Sequence, residues 1–156
     1  MKLEEALKMT RFQSETHKAT LNILYTAYWL RTNVSQWLKD SDLTSEQFNV
    51  LRILKGKAPE AMCVRDIGSR MIEKSSNVPR IIDRLVAKNL VKRFPSTEDK
   101  RETLMQLTEM GIETLEKANA TLDSHTAGLI QMDDEDARLL NELLEKLRAN
   151  THTDNF

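Results

Sequence analysis

Apolar side chains recur at three- and four-residue intervals through most of the chain, and the breaks in that rhythm divide it into elements. The spacing predicts a long helix from Ser14 or Thr16 to Lys39, with Ile23, Ala27, Leu30, Val34 and Leu38 on one stripe and Leu21, Leu24, Tyr25 and Tyr28 on a second. A helix apolar over so much of its circumference is either central in a monomer or shared with a second subunit. Thr44-Ser45-Glu46-Gln47 has the form of a capping box. It precedes a helix of Phe48, Val50, Leu51, Ile53 and Leu54 that ends near Lys55-Gly56-Lys57, with Pro59 beyond. Met62-Cys63-Val64 is a brief strand, and a short helix opening at Arg65 or Asp66 runs through Ile67, Met71 and Ile72.

The next stretch, Ser75 to Ala87, reads as a helix with a polar, exposed first turn and an apolar stripe behind it. Ser75 or Ser76 suits the N-cap, and Pro79 falls in the first turn, where its missing donor costs no intrahelical bond. Val78, Ile81, Ile82 and Leu85 share one apolar face, while Ser76, Asn77, Arg80 and Arg84 lie toward the others. Asn89 tolerates the left-handed conformation that ends a helix. Leu90-Val91-Lys92-Arg93-Phe94 and Thr103-Leu104-Met105-Gln106-Leu107 then read as strands around the polar loop Pro95 to Arg101, a hairpin with a charged tip. Following a helix-turn-helix, the hairpin makes a wing. A helix from Thr108 carries Ile112, Leu115, Asn119, Leu122, Thr126 and Leu129 in a coiled-coil-like seam. Asp133 caps a last helix with Leu139, Leu140, Leu143, Leu144 and Leu147 inward and Asp134, Glu135 and Asp136 at its N-terminal end.

Composition changes this picture in two ways. The single cysteine cannot form an internal disulfide, the acidic opening lacks the form of a signal peptide, and no apolar run spans a bilayer, which together imply a cytoplasmic protein without membrane contact. The net charge of −1 hides a polarity: residues 65–101 hold 10 Lys and Arg against 5 Asp and Glu, whereas residues 102–156 hold 4 against 12. Screening over about 8 Å at physiological salt keeps an acidic lobe from cancelling a basic face elsewhere.

The basic third also carries the candidate chemistry. Arg can bond two acceptors of guanine at once and Asn two of adenine, so Asn77 and Arg80 suit base reading. Lys74, Lys88, Lys92, Arg93 and Lys100 suit phosphates, which fix register without reading sequence. Arg84 is equally able to pair with Asp83 or Glu98 and stiffen the domain. Cys63, in an apolar strand, reads as a small buried hydrophobe. His17, His125 and His152 show no ligand spacing, and the Asp133 to Asp136 run lacks the form of a calcium loop. No nucleophile with an adjacent base and no phosphate-binding glycine loop appears, so neither an enzyme nor a cofactor is expected. The rival reading is a winged-helix module that docks on a protein and acts as an architectural dimer.

Leu43-Thr44-Ser45-Glu46-Gln47-Phe48-Asn49-Val50-Leu51, the run from Ile67 to Arg93 with its Val78-Pro79-Arg80-Ile81-Ile82-Asp83-Arg84-Leu85 core, Asp99-Lys100-Arg101, and Leu107-Thr108-Glu109-Met110-Gly111 occur here in the order of the MarR (multiple antibiotic resistance regulator) family, which the chain resembles over Leu43 to Leu115. Pro79 stands where that family often has Thr, and Asn89 where it usually has Gly. The resemblance implies a mainly α fold with a small β-wing, a winged helix-turn-helix with N- and C-terminal helices forming a dimerisation lobe. The segments are then residues 1–42 (dimerisation), 43–110 (DNA binding) and 111–156 (completing the lobe). It implies a homodimer gripping a palindromic operator in double-stranded DNA. Ser76, Asn77 and Arg80 would face the major groove, with Ser75 beside them at the DNA, and Arg101 would enter the minor groove with Asp99 holding its guanidinium. It further implies a repressor released by a small aromatic effector, for which Tyr25, Tyr28, Trp29, Trp37 and Phe48 are the candidate pocket, although their helical spacing also fits plain core packing.

Overall fold

The computed structural model describes residues 1–74 and 77–149 and divides the chain into two units, residues 1–45 and the residues from 46 onward. In the first unit a short helix α1 (Leu3–Leu7) precedes the long α2 (Glu15–Trp37), which tightens into a 3-10 turn over Leu38–Ser41. Of the two starts the sequence offered for α2, the chain uses Ser14, whose Oγ accepts the His17 N–H at 3.1 Å. Leu3 is buried, and Lys18 Nζ ties α1 down by donating to Glu4 Oε1 at 2.6 Å. That bond holds Glu4 below the usual carboxylate range and Lys18 above its own. No residue of α2 is fully buried; Leu24 and Tyr28 of its second stripe are 63% and 68% exposed.

The second unit contains a winged helix. Helix α3 (Ser45–Lys57) leads into strand β1 (Met62–Cys63), helix α4 (Val64–Arg70), helix α5 (Val78–Ala87), strands β2 (Val91–Pro95) and β3 (Thr103–Leu107), and helices α6 (Glu109–Leu129) and α7 (Asp134–Arg148). The hairpin strands pair antiparallel with Val91 opposite Leu107 and Pro95 opposite Thr103. β1 adds itself to the far side of β3, giving the order β1-β3-β2. Pro95 is tolerated because β2 is an edge. The core is apolar: Val50, Leu51 and Leu54 of α3, Ile67 of α4, Val78, Ile81, Ile82 and Leu85 of α5, and Met105 of β3 are all buried, as is Cys63.

Several expectations need correcting. Helix α4 starts at Val64 and stops at Arg70. Met71 turns extended (φ −65°, ψ 140°), so Met71 is buried outside the helix and Ile72 points away from the core. Helix α5 opens at Val78 with Asn77, not a serine, in the cap position, and the Asn77 side chain makes no capping bond. Ser75 and Ser76 lie outside the described residues. Of the leucines of α7, Leu139, Leu140, Leu143 and Leu147 do not face inward but are 42–57% exposed, while Leu144 is half-buried. Of the α6 seam only Leu115 is buried, together with Ala118.

The end of α5 and the start of α6 form one junction. Asn89 takes φ 57°, the Leu90 N–H bonds the Leu85 carbonyl at 3.0 Å and the Asn89 N–H the Val86 carbonyl at 2.9 Å, which closes the helix with both terminal acceptors used. The Leu90 carbonyl then accepts the Thr108 N–H at 3.1 Å, while Thr108 Oγ1 donates to the Asn89 carbonyl at 2.7 Å and accepts the Gly111 N–H at 2.9 Å. Gly111 comes so close that a Cβ there would lie 2.0 Å from the Leu90 oxygen. The wing tip has its own organiser. Buried Ser96 accepts the N–H groups of Glu98 and Asp99 on Oγ at 3.2 and 3.3 Å, and its own N–H reaches the Glu102 carbonyl at 2.8 Å.

Gly111→Ala is expected to destabilise the protein by about 2 kcal/mol or more, since only backbone movement relieves that clash. Gly128→Ala, with nothing within 4 Å of the added methyl, should be neutral or stabilising. Thermal unfolding of the two variants side by side checks the pair. Ser96→Ala should cost about 1–3 kcal/mol locally and speed hydrogen exchange at the Glu98 and Asp99 amides, with the amides of α5 unchanged.

Candidate nucleic-acid interface

Helix α5 is anchored on one side and open on the other. Val78, Ile81, Ile82 and Leu85 hold it in the core, leaving Asn77, Pro79, Arg80, Asp83 and Arg84 exposed. Arg80 and Arg84 stand one turn apart on that open side, and among the described residues neither guanidinium has an ion-pair or hydrogen-bond partner. Asp83, offered by the sequence as a partner for Arg84, is taken by Arg93 of β2: Nη1 to Oδ1 is 2.7 Å, a bond that ties α5 to the wing strand. Arg93 is therefore engaged within the domain.

The other cations are placed unequally. Lys92 and Lys100 are exposed on the hairpin, whereas Lys74 Nζ donates to the Ser69 carbonyl at 2.6 Å and half-buried Lys88 reaches Gln47 Oε1 at 3.4 Å. At the wing tip Asp99 does not hold the Arg101 guanidinium. Its Oδ1 accepts the Arg101 backbone N–H at 2.9 Å, so the carboxylate shapes the turn and leaves the arginine side chain projecting into solvent. Two residues that the sequence reading passed over support this surface. Ser96 holds the turn from beneath, and Asn49 of α3 accepts the Ile72 N–H on Oδ1 at 3.0 Å, holding the backbone that follows α4. A serine just before a Thr-Glu-Asp run is a local signal that could have found the first; nothing local marks the second.

Of the five aromatic residues offered for an effector, Tyr25 and Trp29 line one open cavity of about 260 Å³ in the first unit, with Met1, Leu3, Asn22 and Thr26. Tyr28 is exposed, Trp37 is half-buried near the end of α2, and Phe48 is buried in the second unit with the Arg52 guanidinium 5.8 Å from its ring centroid. Among the described residues no three His, Cys, Asp or Glu side chains group to hold a metal ion. His17 and His125 are each engaged within their own segment, Nδ1 of His17 accepting the Gln13 N–H at 3.3 Å and Nδ1 of His125 lying 2.8 Å from the Thr121 carbonyl; His152 lies outside the described residues. Among the described residues no helix is long and apolar enough to cross a membrane.

Residues 43–103 match the model of the MarR family, a span that contains α3 to the start of β3. The HTH-type transcriptional repressor IacR of Pseudomonas putida is 28% identical over 134 residues, 81% of this chain and 79% of its own length. Among solved structures, that of the S. aureus MepR–DNA complex superposes with a TM-score of 0.75 at 21% identity, covering 85% of this chain and 97% of that one. The organohalide-sensing transcriptional regulator RdhR, in its 2,4-dichlorophenol-bound form, gives 0.77 at 20% identity over 88% of this chain and 82% of its own. At such identities the two structures speak for the fold alone, and none of these relatives is named as an enzyme. The chain is thus similar to the MarR family, through the family model on its winged helix and through a curated relative along most of its length.

Proposed function

We propose that this chain is a dimeric transcription regulator that reads a palindromic operator in double-stranded DNA with α5 and grips its backbone and minor groove with the wing. The observation that carries this reading is the exposed face of α5, where Asn77 and the unpaired Arg80 and Arg84 stand on a helix whose other side is buried. Arg80 and Asn77 discriminate bases, and Lys92 and Lys100 meet phosphates. Arg101, carried at the tip of a turn held by Asp99 and Ser96, enters a narrow minor groove, whose negative potential favours a cation. Lys74, Lys88 and Arg93, each bonded within the domain, contribute field more than contact.

Residues 1–42 and 111–156 are the segments we assign to dimerisation, around the winged helix of residues 43–110. The exposed leucines of α7 and the exposed stripe of α2 support a second copy as their partner. Repression fits the relative named as a repressor, and a small aromatic ligand fits the neighbour crystallised with a chlorophenol. Tyr25 and Trp29 at the α2 cavity are the best-placed residues to receive one. Two recognition helices must lie about 34 Å apart to enter successive major grooves, so a ligand that favours another spacing releases both half-sites together. Such a protein works in the cytoplasm, where the DNA is.

Selection of duplexes from a random pool tests the reading. A symmetric site should emerge, its affinity falling log-linearly with salt. Arg80→Ala should cost about 1–3 kcal/mol on that site and flatten preference at one position in each half. Binding indifferent to salt and to Arg80 would favour the protein-docking module instead.

A further inference from the structure

We propose that Ile72 is a specificity-determining residue that packs against the C5-methyl group of a thymine in the major groove, an inference that rests on the DNA-binding reading above. Ile72 lies in the connection between α4 and α5 and is 86% exposed. A lone exposed aliphatic residue is ordinary on a protein surface, but this one is held outward. Its neighbour Met71 is buried at 3% exposure, and its own N–H is bonded to Asn49 Oδ1 of α3 at 3.0 Å. Both contacts hold the backbone here with the Ile72 side chain on the outside.

The surroundings indicate what it meets. Between Arg70 and Lys74 the chain carries two cations against the single Glu73, within the most basic third of the sequence, and Ile72 precedes the start of α5 at Val78 by only a few residues of sequence. A helix entering a major groove brings the residues just before it to the groove's edge. There the one apolar feature on the floor of an otherwise polar groove is the thymine methyl. A protein partner would call for a contiguous apolar patch, and here the adjoining residues Glu73 and Lys74 are polar and exposed. An aliphatic side chain framed by cations fits a methyl group bordered by phosphates.

The experiment uses the full chain and the duplex enriched from a random pool, resynthesised with uracil in place of each thymine in turn so that only the methyl is removed. Equilibrium binding should weaken about fourfold at one symmetry-related pair of positions, the value of one buried methyl group. The Ile72→Ala variant, whose substitution removes exposed atoms only, should show no response to uracil at that pair. Uracil effects that are the same in the wild type and in Ile72→Ala overturn the inference while leaving the DNA-binding reading intact. So does a loss in Ile72→Ala that is equal for every duplex. A wild-type chain that binds no duplex at low salt overturns both.

Discussion

Everything the winged helix presents to a ligand depends on where the carbonyl of Leu90 sits. That oxygen closes no helical bond. It receives the Thr108 N–H across the base of the hairpin, and it occupies the space that any side chain at position 111 would fill. The consequence is mechanical. α5 ends, β2 begins, β3 ends and α6 begins within one hydrogen-bonded knot, so the helix that offers Arg80 and the hairpin that offers Arg101 share a common base. Desolvating that carbonyl without a partner would cost about 1–3 kcal/mol, which is why Thr108 and Gly111 act as a pair.

Above this base, the arginines that point outward are supported by side chains bonded within the domain. Arg93 pairs with Asp83 on the flank of α5, which engages a carboxylate of the same helix as Arg80 and Arg84 and braces the helix against β2. As a partly exposed pair it adds little stability; its weight is in orientation. The wing repeats the logic through its backbone. Ser96 and Asp99 spend their acceptors on backbone N–H groups, so the turn is shaped without any claim on the Arg101 side chain. A guanidinium held by a carboxylate would have to leave it before entering a groove, whereas one projecting from a braced turn has only water to lose.

The helical rhythm of the chain and the apolar face of α5 were legible because they are local: Val78, Ile81, Ile82 and Leu85 declare their spacing within ten residues, and all four are buried. Asn89 was legible for the same reason, its tolerance of positive φ being a property of the residue itself. The misses have the opposite character. The inserted contact of Asn49 crosses 23 positions to Ile72, and the closeness of Gly111 to Leu90 crosses a hairpin, so neither leaves a periodic trace. The end of α4 at Arg70 was misjudged because Met71 and Ile72 continue an apolar run that looks helical, yet one of the two turns into the core and the other out of it. The proposed DNA-facing roles are a matter of chemistry rather than of fold, which is why they rest on exposure and on the absence, among the described residues, of partners at Arg80 and Arg84.

The leucines of α7 show what sequence periodicity measures. It reports that a face wants burial, not which molecule buries it. A helix of 15 residues is marginal in water by itself, and α7 has no buried residue to hold it, only a capped and acidic N-terminal turn and a basic last one. Its stability must come from whatever covers Leu139, Leu143 and Leu147. On the proposed reading that cover is a second copy, which makes pairing of the chains and folding of α7 one event. The distance between the two α5 helices is then set by contacts that form only in the dimer. On the same reading, a ligand lodged beside Tyr25 and Trp29 would act on α2, whose exposed stripe is assigned to the same pairing of chains.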